Sequence, residues 1–383
     1  MRKRPCIYIV LDPDGRFTRL VYQGIIDYFS ENGRNFELAL TFGEPFIHPR
    51  KTLKGIIFLA TKLSLIRTVR SHGVPVVNMS SALKPLGLPS AISDNETGGR
   101  MAAEHLLKCR FHNFGCYGSI KGNQHVLRRV GFKKGILEAG FKCAMHLDSM
   151  KNFDEMINLV QQKNLQRWIA HLPKPVGIFC VSDRDAYQVY NACEALDIEI
   201  GKEVGIVGYG NDEFFCKTRH PGITSIEPRP ERIGYEAAAL MVRLLEGEAP
   251  PISPILIAPG GVIQRESANA LMTRDKHVNS AIEFIRAHLN EVTLLPQIFK
   301  HVPMSRRTLE RRFHECLGYT IGEVIQLLKI ERVQHLLHST SMKLYEIAEA
   351  SGFLSIPYMT KLFREKVGAT PGEYRARFRH LIV

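Results

Sequence analysis

The chain has 383 residues, enough for two or three domains, and its composition of 45% hydrophobic and 23% charged residues is that of a globular protein. This excludes a disordered or fibrous chain. The 51 Lys and Arg residues outnumber the 38 Asp and Glu residues, and the net charge of +13 favours a polyanionic partner. Residues 271–383 hold 17 basic and 11 acidic residues, so the excess is denser there.

Cysteine usage and hydropathy indicate the compartment. Eight cysteines lie mostly in apolar runs and form no C-x-x-C pair, as expected of buried reduced thiols. The first apolar run, Cys6–Leu11, is too short for a secretory segment, and no run approaches the ~18 apolar residues that span a bilayer. We therefore expect a soluble, cytoplasmic protein with no membrane association.

Residues 1–265 alternate short apolar runs with amphipathic segments, which predicts a doubly wound α/β fold. The length exceeds one sheet of the usual size, so we expect two lobes. The predicted strands are Cys6–Leu11, Glu37–Leu40, Gly55–Leu59, Val74–Asn78, Asn113–Tyr117, Val176–Val181 and Val204–Val207. The predicted helices are Arg19–Glu31, Thr97–Lys108, Leu127–Ala139, Phe153–Leu165, Arg184–Leu196 and Arg232–Glu246.

The pattern changes after residue 265. Residues 266–277 are polar and aperiodic and are predicted as a linker, and residues 278–383 contain no convincing strand. They predict an all-α domain. Its helices are expected at about 278–289, 294–300, 305–315, 321–338, 344–350, 355–366 and 371–379.

Polar residues follow several predicted strands of the first domain, where ligands bind in open α/β sheets. Carboxylates, amides and arginine suit the hydroxyl groups of a sugar, and an aromatic ring suits its apolar face. An Asp after a strand can equally be a helix cap, Phe17 can be core packing, and Arg128 can be a surface charge. The candidate ligand residues from this reasoning are Phe17, Asp94, Asp183 and Asp212.

Five segments of this domain resemble the sensor of LacI-type regulators and periplasmic sugar-binding proteins: Asp94–Leu107, Arg128–Phe132, Ser182–Ala186, Val204–Tyr209 and Pro221–Pro228. The resemblance spans about residues 5–265 and implies a two-lobed sensor. It implies polar ligand contacts from Arg128, Asp183 and Asn211, with Asp94 nearby and Arg19 as a weaker candidate. Where the family often has Asp after Gly-Tyr, this chain has Gly210, so Asp212 is a candidate for the carboxylate role.

The second domain contains a candidate helix-turn-helix. A short helix ends at a break at 302–303, and Ser305 is a suitable N-cap for the next helix, in which Leu309 and Phe313 share one face. A helix with a buried stripe and arginines opposite suits insertion into a major groove, where arginine can bond guanine O6 and N7. The charged residues on that face are Arg307, Glu310 and Arg311.

A similar unit recurs fifty residues later. Gly352 ends one helix, and Ser355 caps the next, which presents Tyr358 and Lys361 outward. Two such readers could enter successive major grooves roughly 34 Å apart. Either unit alone could be an ordinary helical hairpin with a solvated basic face, but two of them in one basic domain favour DNA binding.

Three segments resemble the DNA-binding domain of AraC/XylS-type regulators: Ser305–Phe313, Glu346–Phe353 and Phe363–Tyr374. The match covers about residues 277–379. It implies base contacts from Arg307, Glu310, Arg311, Tyr358 and Lys361. Pro357 departs from the polar reader common at its position, which implies weaker specification by the second helix.

The order of the two domains limits the functions that the chain can have. A LacI-like sensor followed by an AraC-type domain is similar to regulators of pentose catabolism. The resemblance implies a homodimeric activator that binds operator DNA, acts with RNA polymerase and senses a pentose, D-xylose first. The alternatives are a solute-binding protein or a regulator of another small ligand. Phosphate-loop, nucleophile-elbow and metal-spacing motifs are absent from the sequence, so we expect no enzyme and no cofactor.

Overall fold

The computed structural model describes residues 5–12, 15–33, 36–42, 52–84, 87–148, 159–268, 271, 273, 275–291, 294–340 and 342–378. The chain divides into two compact units, residues 1–270 and 271–383, and the boundary lies within the predicted linker. Part of that linker is packed: Ser267 and Ala268 are buried in the first unit, and Leu271 joins the core of the second. Each unit is described by itself below.

The first lobe of the first unit contains strands β1 (Pro5–Leu11), β2 (Glu37–Phe42), β3 (Thr52–Phe58), β4 (Val76–Asn78), β5 (Ala91–Ser93) and β11 (Ile255–Ile257). Its helices are α1 (Arg16–Glu31), α2 (Leu63–Ser71) and α8 (Pro230–Leu245). The sheet order is β2-β1-β3-β4, all parallel, and β11 pairs with β5, also in parallel. β1 is buried along nearly its whole length, as expected of a strand covered on both faces.

The second lobe contains strands β6 (Asn113–Ser119), β7 (Cys143–Asp148), β8 (Val176–Cys180), β9 (Val204–Tyr209), β10 (Thr224–Glu227) and β12 (Gly261–Ile263). Its helices are α3 (Asn95–Lys108), α4 (Asn123–Glu138), α5 (Leu159–His171), α6 (Asp183–Ala195) and α7 (Glu213–Cys216). The strand order is β12-β10-β9-β8-β6-β7, and only the β10–β12 pair is antiparallel. The chain passes between the lobes three times, at Asp94, at 228–229 and at 258–260.

Paired glycines bring two helix pairs into close contact, one pair in each lobe. A Cβ added at Gly24 of α1 would collide with a backbone carbonyl of α8, and a Cβ at Gly234 of α8 would collide with one of α1. Gly99 of α3 and Gly131 of α4 are related in the same way. The glycines let the backbones of these helices touch, which fixes how each pair crosses.

The second unit is helical throughout its described part. Its helices are α9 (Lys276–Ala287), α10 (Leu295–His301), α11 (Arg306–Leu317), α12 (Ile321–Ser339), α13 (Leu344–Ala350), α14 (Ile356–Val367) and α15 (Pro371–Phe378). Its described residues form two apolar cores: α12 contributes its first half to one, with α9–α11, and its second half to the other, with α13 and α14. None of the described helices of the chain is long and apolar enough to cross a bilayer.

The predicted fold class is confirmed, and all seven predicted strands are present with shifted ends. Sequence analysis missed short strands such as β5, β11 and β12, each of three residues, and the partly exposed edge strand β7. It also missed α2 and α7. The helix predicted at Phe153–Leu165 is observed from Leu159, and residues 153–158 lie outside the described part of the chain.

Candidate ligand cleft and nucleic-acid interface

A cleft lies between the two lobes of the first unit. It consists of a cavity of about 470 Å³ and an adjoining cavity of about 330 Å³, which share Phe17, Gln124, His125, Tyr209, Gly210 and Pro228. Both lobes supply its walls, because Phe17 belongs to α1 and Gln124 to α4. Together the two volumes can hold a ligand the size of a monosaccharide.

The predicted aromatic residue Phe17 lines both cavities from the first turn of α1. Arg19 is exposed and lies outside both linings. The guanidinium at this end of the cleft is instead that of Arg16, one helical turn earlier. Sequence analysis missed Arg16 because it began the helix at Arg19.

Arg128 lines the smaller cavity and is held from three sides. Its Nε donates to Asn95 Oδ1 at 2.8 Å, one Nη donates to the Val181 carbonyl at 2.7 Å, and its guanidinium lies 3.6 Å from the centre of the Tyr209 ring. Burial lowers the pKa of this guanidinium, which the charges of nearby Asp183 and Asp185 oppose. A fixed guanidinium of this kind can donate to a ligand without first being ordered.

Asp183 is the most buried of the predicted polar residues that line the cleft, with 3% of its surface exposed. Its Oδ1 accepts from the Ser225 hydroxyl at 2.5 Å, and its Oδ2 accepts from the Asp212 amide at 2.7 Å. Burial raises the pKa of Asp183 to about 6, although those hydrogen bonds act in the opposite direction. A carboxylate has about four acceptor positions, so Asp183 can still accept from a ligand hydroxyl.

Asn211 does not line the cleft. It is buried, its Nδ2 donates to Glu227 at 2.8 Å, and its Oδ1 accepts from Arg265 at 2.7 Å, so its amide is committed within the lobe. The structure accounts for the glycine at position 210, where the family often has Asp. The φ of Gly210 is +131°, which suits glycine, and a Cβ there would lie 2.9 Å from Asp183 Oδ2. A side chain at position 210 is therefore incompatible with Asp183 in its observed position.

The two remaining predicted carboxylates are both helix caps. Asp94 lies outside both linings, and its side chain accepts from the Thr97 amide at 3.0 Å as the N-cap of α3. Asp212 caps α7 by accepting from the Phe214 amide at 3.1 Å, but it also lines the larger cavity. Of Asn211 and Asp212, only Asp212 is placed to meet a ligand.

Sequence analysis also missed Gln124 and His125, because α4 begins at Asn123 rather than at the predicted Leu127. Gln124 Oε1 is buried and has no hydrogen-bond partner among the described residues. His125 Nδ1 lies 2.9 Å from the Lys121 carbonyl, which accepts its proton and leaves Nε2 as an acceptor. Burial and the Arg128 charge lower the pKa of His125 to about 3, so the ring is neutral.

Several hydrogen bonds join the lobes beside the cleft. The Arg16 guanidinium donates to the Gly210 carbonyl at 3.0 Å and pairs with Glu227 at 3.3 Å. Asn95 Nδ2 donates to the Ser81 hydroxyl at 2.8 Å, and the backbone N–H of Asn123 donates to the Ala82 carbonyl at 2.9 Å. The pairing with Glu227 raises the pKa of Arg16 although burial alone would lower it. These contacts hold the two walls of the cleft together.

The second unit contains two helix-turn-helix pairs, α10–α11 and α13–α14. We call α11 the first recognition helix and α14 the second. Ser305 and Ser355 are their N-caps, and each hydroxyl accepts from the amide three residues later, at 3.2 and 3.4 Å. Each helix ends at a glycine with positive φ, Gly318 or Gly368.

The first recognition helix buries Leu309 and Phe313 and exposes its charged face, as predicted. Arg307, Glu310 and Arg311 are all exposed. Glu310 pairs with Arg306 at 2.8 Å, and Arg311 lies 3.9 Å from Glu315. Since exposed ion pairs of this kind are weak, Arg306 and Arg311 remain available to a polyanion.

The second recognition helix buries Met359 and Phe363 and exposes Tyr358 and Lys361, as predicted. Tyr358 is positioned by contacts with the rest of the unit: its hydroxyl accepts from Gln326 Nε2 at 3.2 Å, and its ring lies 6.0 Å from that of Phe353. Pro357 occupies the first turn, where the helix needs no amide donor.

Comparisons with known protein families agree with this organisation. Residues 103–268 match the periplasmic binding protein-like domain, and residues 298–377 match a helix-turn-helix domain. A two-lobed domain with a ligand cleft, followed by a pair of helix-turn-helix units, defines a ligand-responsive transcription regulator.

Full-length relatives specify the family. The chain is 33% identical to the xylose operon regulatory protein of Escherichia coli K12, with 97% of each chain covered, and 26% identical to that of Haemophilus influenzae, with 96% of this chain and 97% of the relative covered. A solved structure of a xylose-binding transcription activator matches 98% of this chain and 99% of its own at 25% identity, with a TM-score of 0.64. The chain belongs to the family of xylose operon regulatory proteins.

Proposed function

We propose that D-xylose is the effector and that it binds in the cleft between the lobes. The observation that carries the proposal is the convergence of Phe17, Arg128 and Asp183 on this cleft. The ring of Phe17 suits the apolar face of a pyranose, while Arg128 and Asp183 offer a donor and an acceptor to its hydroxyls. The relatives named for xylose support this choice among sugars. Arg16, Gln124 and Asp212 are further contact candidates.

The effector acts by favouring one arrangement of the lobes. A sugar that touches Phe17 on the first lobe and Asp183 on the second binds more tightly when the lobes are close together. It therefore shifts the population toward the closed state in proportion to this difference in affinity. Bonds across the lobes, such as those of Arg16 with Gly210 and Glu227, would favour that closed arrangement.

The shift between these arrangements changes how the protein binds operator DNA. We propose that Arg307, Glu310 and Arg311 contact bases in one major groove and that Tyr358 and Lys361 enter the next. A cytoplasmic homodimer would present two such units, and sugar binding would lead to activation through RNA polymerase. Support comes from the exposed basic face of the first recognition helix and from the similarity of the chain to a solved xylose-binding transcription activator.

A thermal-shift panel tests the effector. Purified protein is heated with D-xylose, L-arabinose, D-ribose or D-glucose. A ligand at a hundred times its Kd stabilises the folded state by about 2.7 kcal/mol, enough to raise Tm by roughly 5–10 °C. We expect the largest shift with D-xylose and its loss in Arg128→Ala. A larger shift with another sugar would reassign the effector, and no shift with any sugar would contradict the proposal.

A further inference from the structure

The two recognition helices present different chemistry at equivalent positions. Their N-caps are fifty residues apart, and Thr320 and Thr370 begin the following helices with matching capping hydrogen bonds to Glu323 and Glu373. Position 306 therefore corresponds to 356, 307 to 357, and 311 to 361. This repeat makes it possible to compare the two reading surfaces residue by residue.

The first turn of the first recognition helix exposes two guanidiniums, those of Arg306 and Arg307. The equivalent turn of the second is apolar: Ile356 is 38% exposed and Pro357 is exposed. The adjoining Tyr358 is 49% exposed, and Leu354, just before the helix, is 82% exposed. We call Leu354, Ile356, Pro357 and Tyr358 the apolar tip.

Contacts with the rest of the unit position Tyr358 and the turn that precedes the apolar tip. Gln326 of α12 holds the Tyr358 hydroxyl, and Phe353 supports its ring. The hydrogen bond from Lys329 to the Gly352 carbonyl ties the preceding turn to α12. A preorganised apolar surface can recognise a methyl group at little entropic cost.

The charges of the same helix indicate what the apolar tip meets. Lys361, Arg364 and Lys366 are exposed along α14, with Glu365 as its exposed acid, so the helix that begins at the tip carries a net positive charge that complements a phosphate backbone. In the major groove, the C5 methyl of thymine is the apolar group that marks a base pair. The side chains of Ile356 and Pro357 offer no hydrogen-bonding group to a base edge, so their contribution to reading must be van der Waals contact.

We propose that the second recognition helix selects thymine, through contact of Ile356 and Tyr358 with its C5 methyl, whereas the first selects bases through hydrogen bonds. This proposal rests on the proposed DNA contacts of both helices. It replaces the sequence-based expectation that Pro357 merely weakens specification. The second recognition helix has Ile356 and Pro357 where the first has Arg306 and Arg307, so the two helices contact different features of a base pair.

The test begins with selection of duplexes from a random-sequence library by the full-length protein. In a selected duplex, each thymine is then replaced singly by deoxyuridine, which removes only the methyl group. A buried methyl is worth about fourfold in affinity. We expect one or two thymines in one half of the site to show a loss of that size, and none of comparable size in the half protected by the first recognition helix.

Variants assign the methyl contact to its residues. Ile356→Ala should bind the thymine duplex about fourfold more weakly and should lose most of its sensitivity to deoxyuridine, as a double-mutant cycle requires. Tyr319 follows the far end of α11 and is 39% exposed, close to the exposure of Ile356. Tyr319→Ala is therefore the control, and it should retain the deoxyuridine effect.

The possible outcomes distinguish failure of the thymine proposal from failure of the proposed DNA contacts. If the library yields no enriched sequence, DNA reading itself is contradicted. If sequences are enriched but no thymine methyl matters, the apolar tip does not read thymine. If the methyl effect persists in full in both Ile356→Ala and Tyr358→Ala, the tip contacts something other than that base, such as a partner protein, and the proposal is overturned.

Discussion

Asp183 shows how burial prepares a carboxylate for a ligand. Two donors within the lobe, the Ser225 hydroxyl and the Asp212 amide, hold it in place, while the loss of solvent raises its pKa to about 6. Asp185, two residues further along α6, also has a pKa raised to about 6 by burial. The cleft therefore contains two carboxyls whose pKa values burial raises to about 6.

The affinity for sugar should consequently depend on pH. Hydroxyl donation from a sugar favours the ionised carboxylate, so we expect affinity to fall as the pH is lowered through about 6. The sign for stability is opposite. Between the ordinary carboxyl pKa of 3.8 and the raised value of about 6, the folded state keeps a proton that the unfolded state has released, so this contribution to the free energy of unfolding is lost as the pH rises through that window. Calorimetric titration with D-xylose from pH 5 to 8 measures the first effect.

Carboxamide variants identify the titrating group. In Asp183→Asn an amide donor would face the Asp212 N–H or the Ser225 hydroxyl, so weaker binding and lower stability are both expected. Asp185 accepts from the rotatable Ser182 hydroxyl, which makes Asp185→Asn the milder comparison. An unchanged pH dependence in Asp183→Asn would show that Asp183 is not the group that titrates.

At the scale of elements, the strength of the periodic signal decided what could be predicted. Buried strands such as β1 and β8 are continuous apolar runs and were found, whereas β12 is three residues long and pairs antiparallel at an edge. Helix starts were placed late at α1 and α4, since apolar periodicity does not reach the first polar turn. The same error hid Arg16, Gln124 and His125, because the first turns of these helices line the cleft.

Contacts that depend on the whole fold could not be predicted from sequence. Asn211 was a reasonable ligand candidate from its place after β9, but its amide is bonded to Glu227 and Arg265, which lie 16 and 54 residues away. By contrast, both recognition helices were predictable, because their capping residues and buried stripes are local in sequence. The helix caps and buried stripes of the recognition helices are local in sequence, whereas the distant partners that hold the Asn211 amide within the lobe leave no local signal.

The glycine contact between α3 and α4 should control both stability and the position of Arg128. A Cβ at position 131 would collide with the Glu96 carbonyl, so Gly131→Ala must separate the two helices. We expect a loss of about 1–3 kcal/mol in the free energy of unfolding, and weaker sugar binding. Denaturant titration and calorimetry measure these two effects.

The matched control lies next to it on the same helix. Val130 is 46% exposed, so Val130→Ala should change stability by less than about 0.5 kcal/mol. If Gly131→Ala were as stable as Val130→Ala, the α3–α4 contact would have room that the structure does not show. Normal stability with weakened sugar binding would instead mean that the helices separate at little cost but still displace Arg128.

At the scale of the whole molecule, the two functions are carried by two separately packed units, each with its own cores. The cleft lies entirely in residues 1–270, and both recognition helices lie in residues 271–383. Binding of sugar and binding of DNA should therefore be separable by mutation, even though regulation requires both. The separation can be tested with one arginine from each unit.

Arg311→Ala should weaken operator binding by roughly 5- to 150-fold, because a base contact is worth about 1–3 kcal/mol, and should leave the D-xylose thermal shift intact. Arg128→Ala should abolish the thermal shift and the effect of sugar on operator binding, while DNA binding without sugar remains. Arg332, exposed on α12, tests whether charge alone matters: Arg332→Ala should cost less than about threefold. Titrations at several salt concentrations measure all three. Equal damage to both activities by both Arg311→Ala and Arg128→Ala would contradict the division of labour, since a base contact and a sugar contact in separate units have no shared partner.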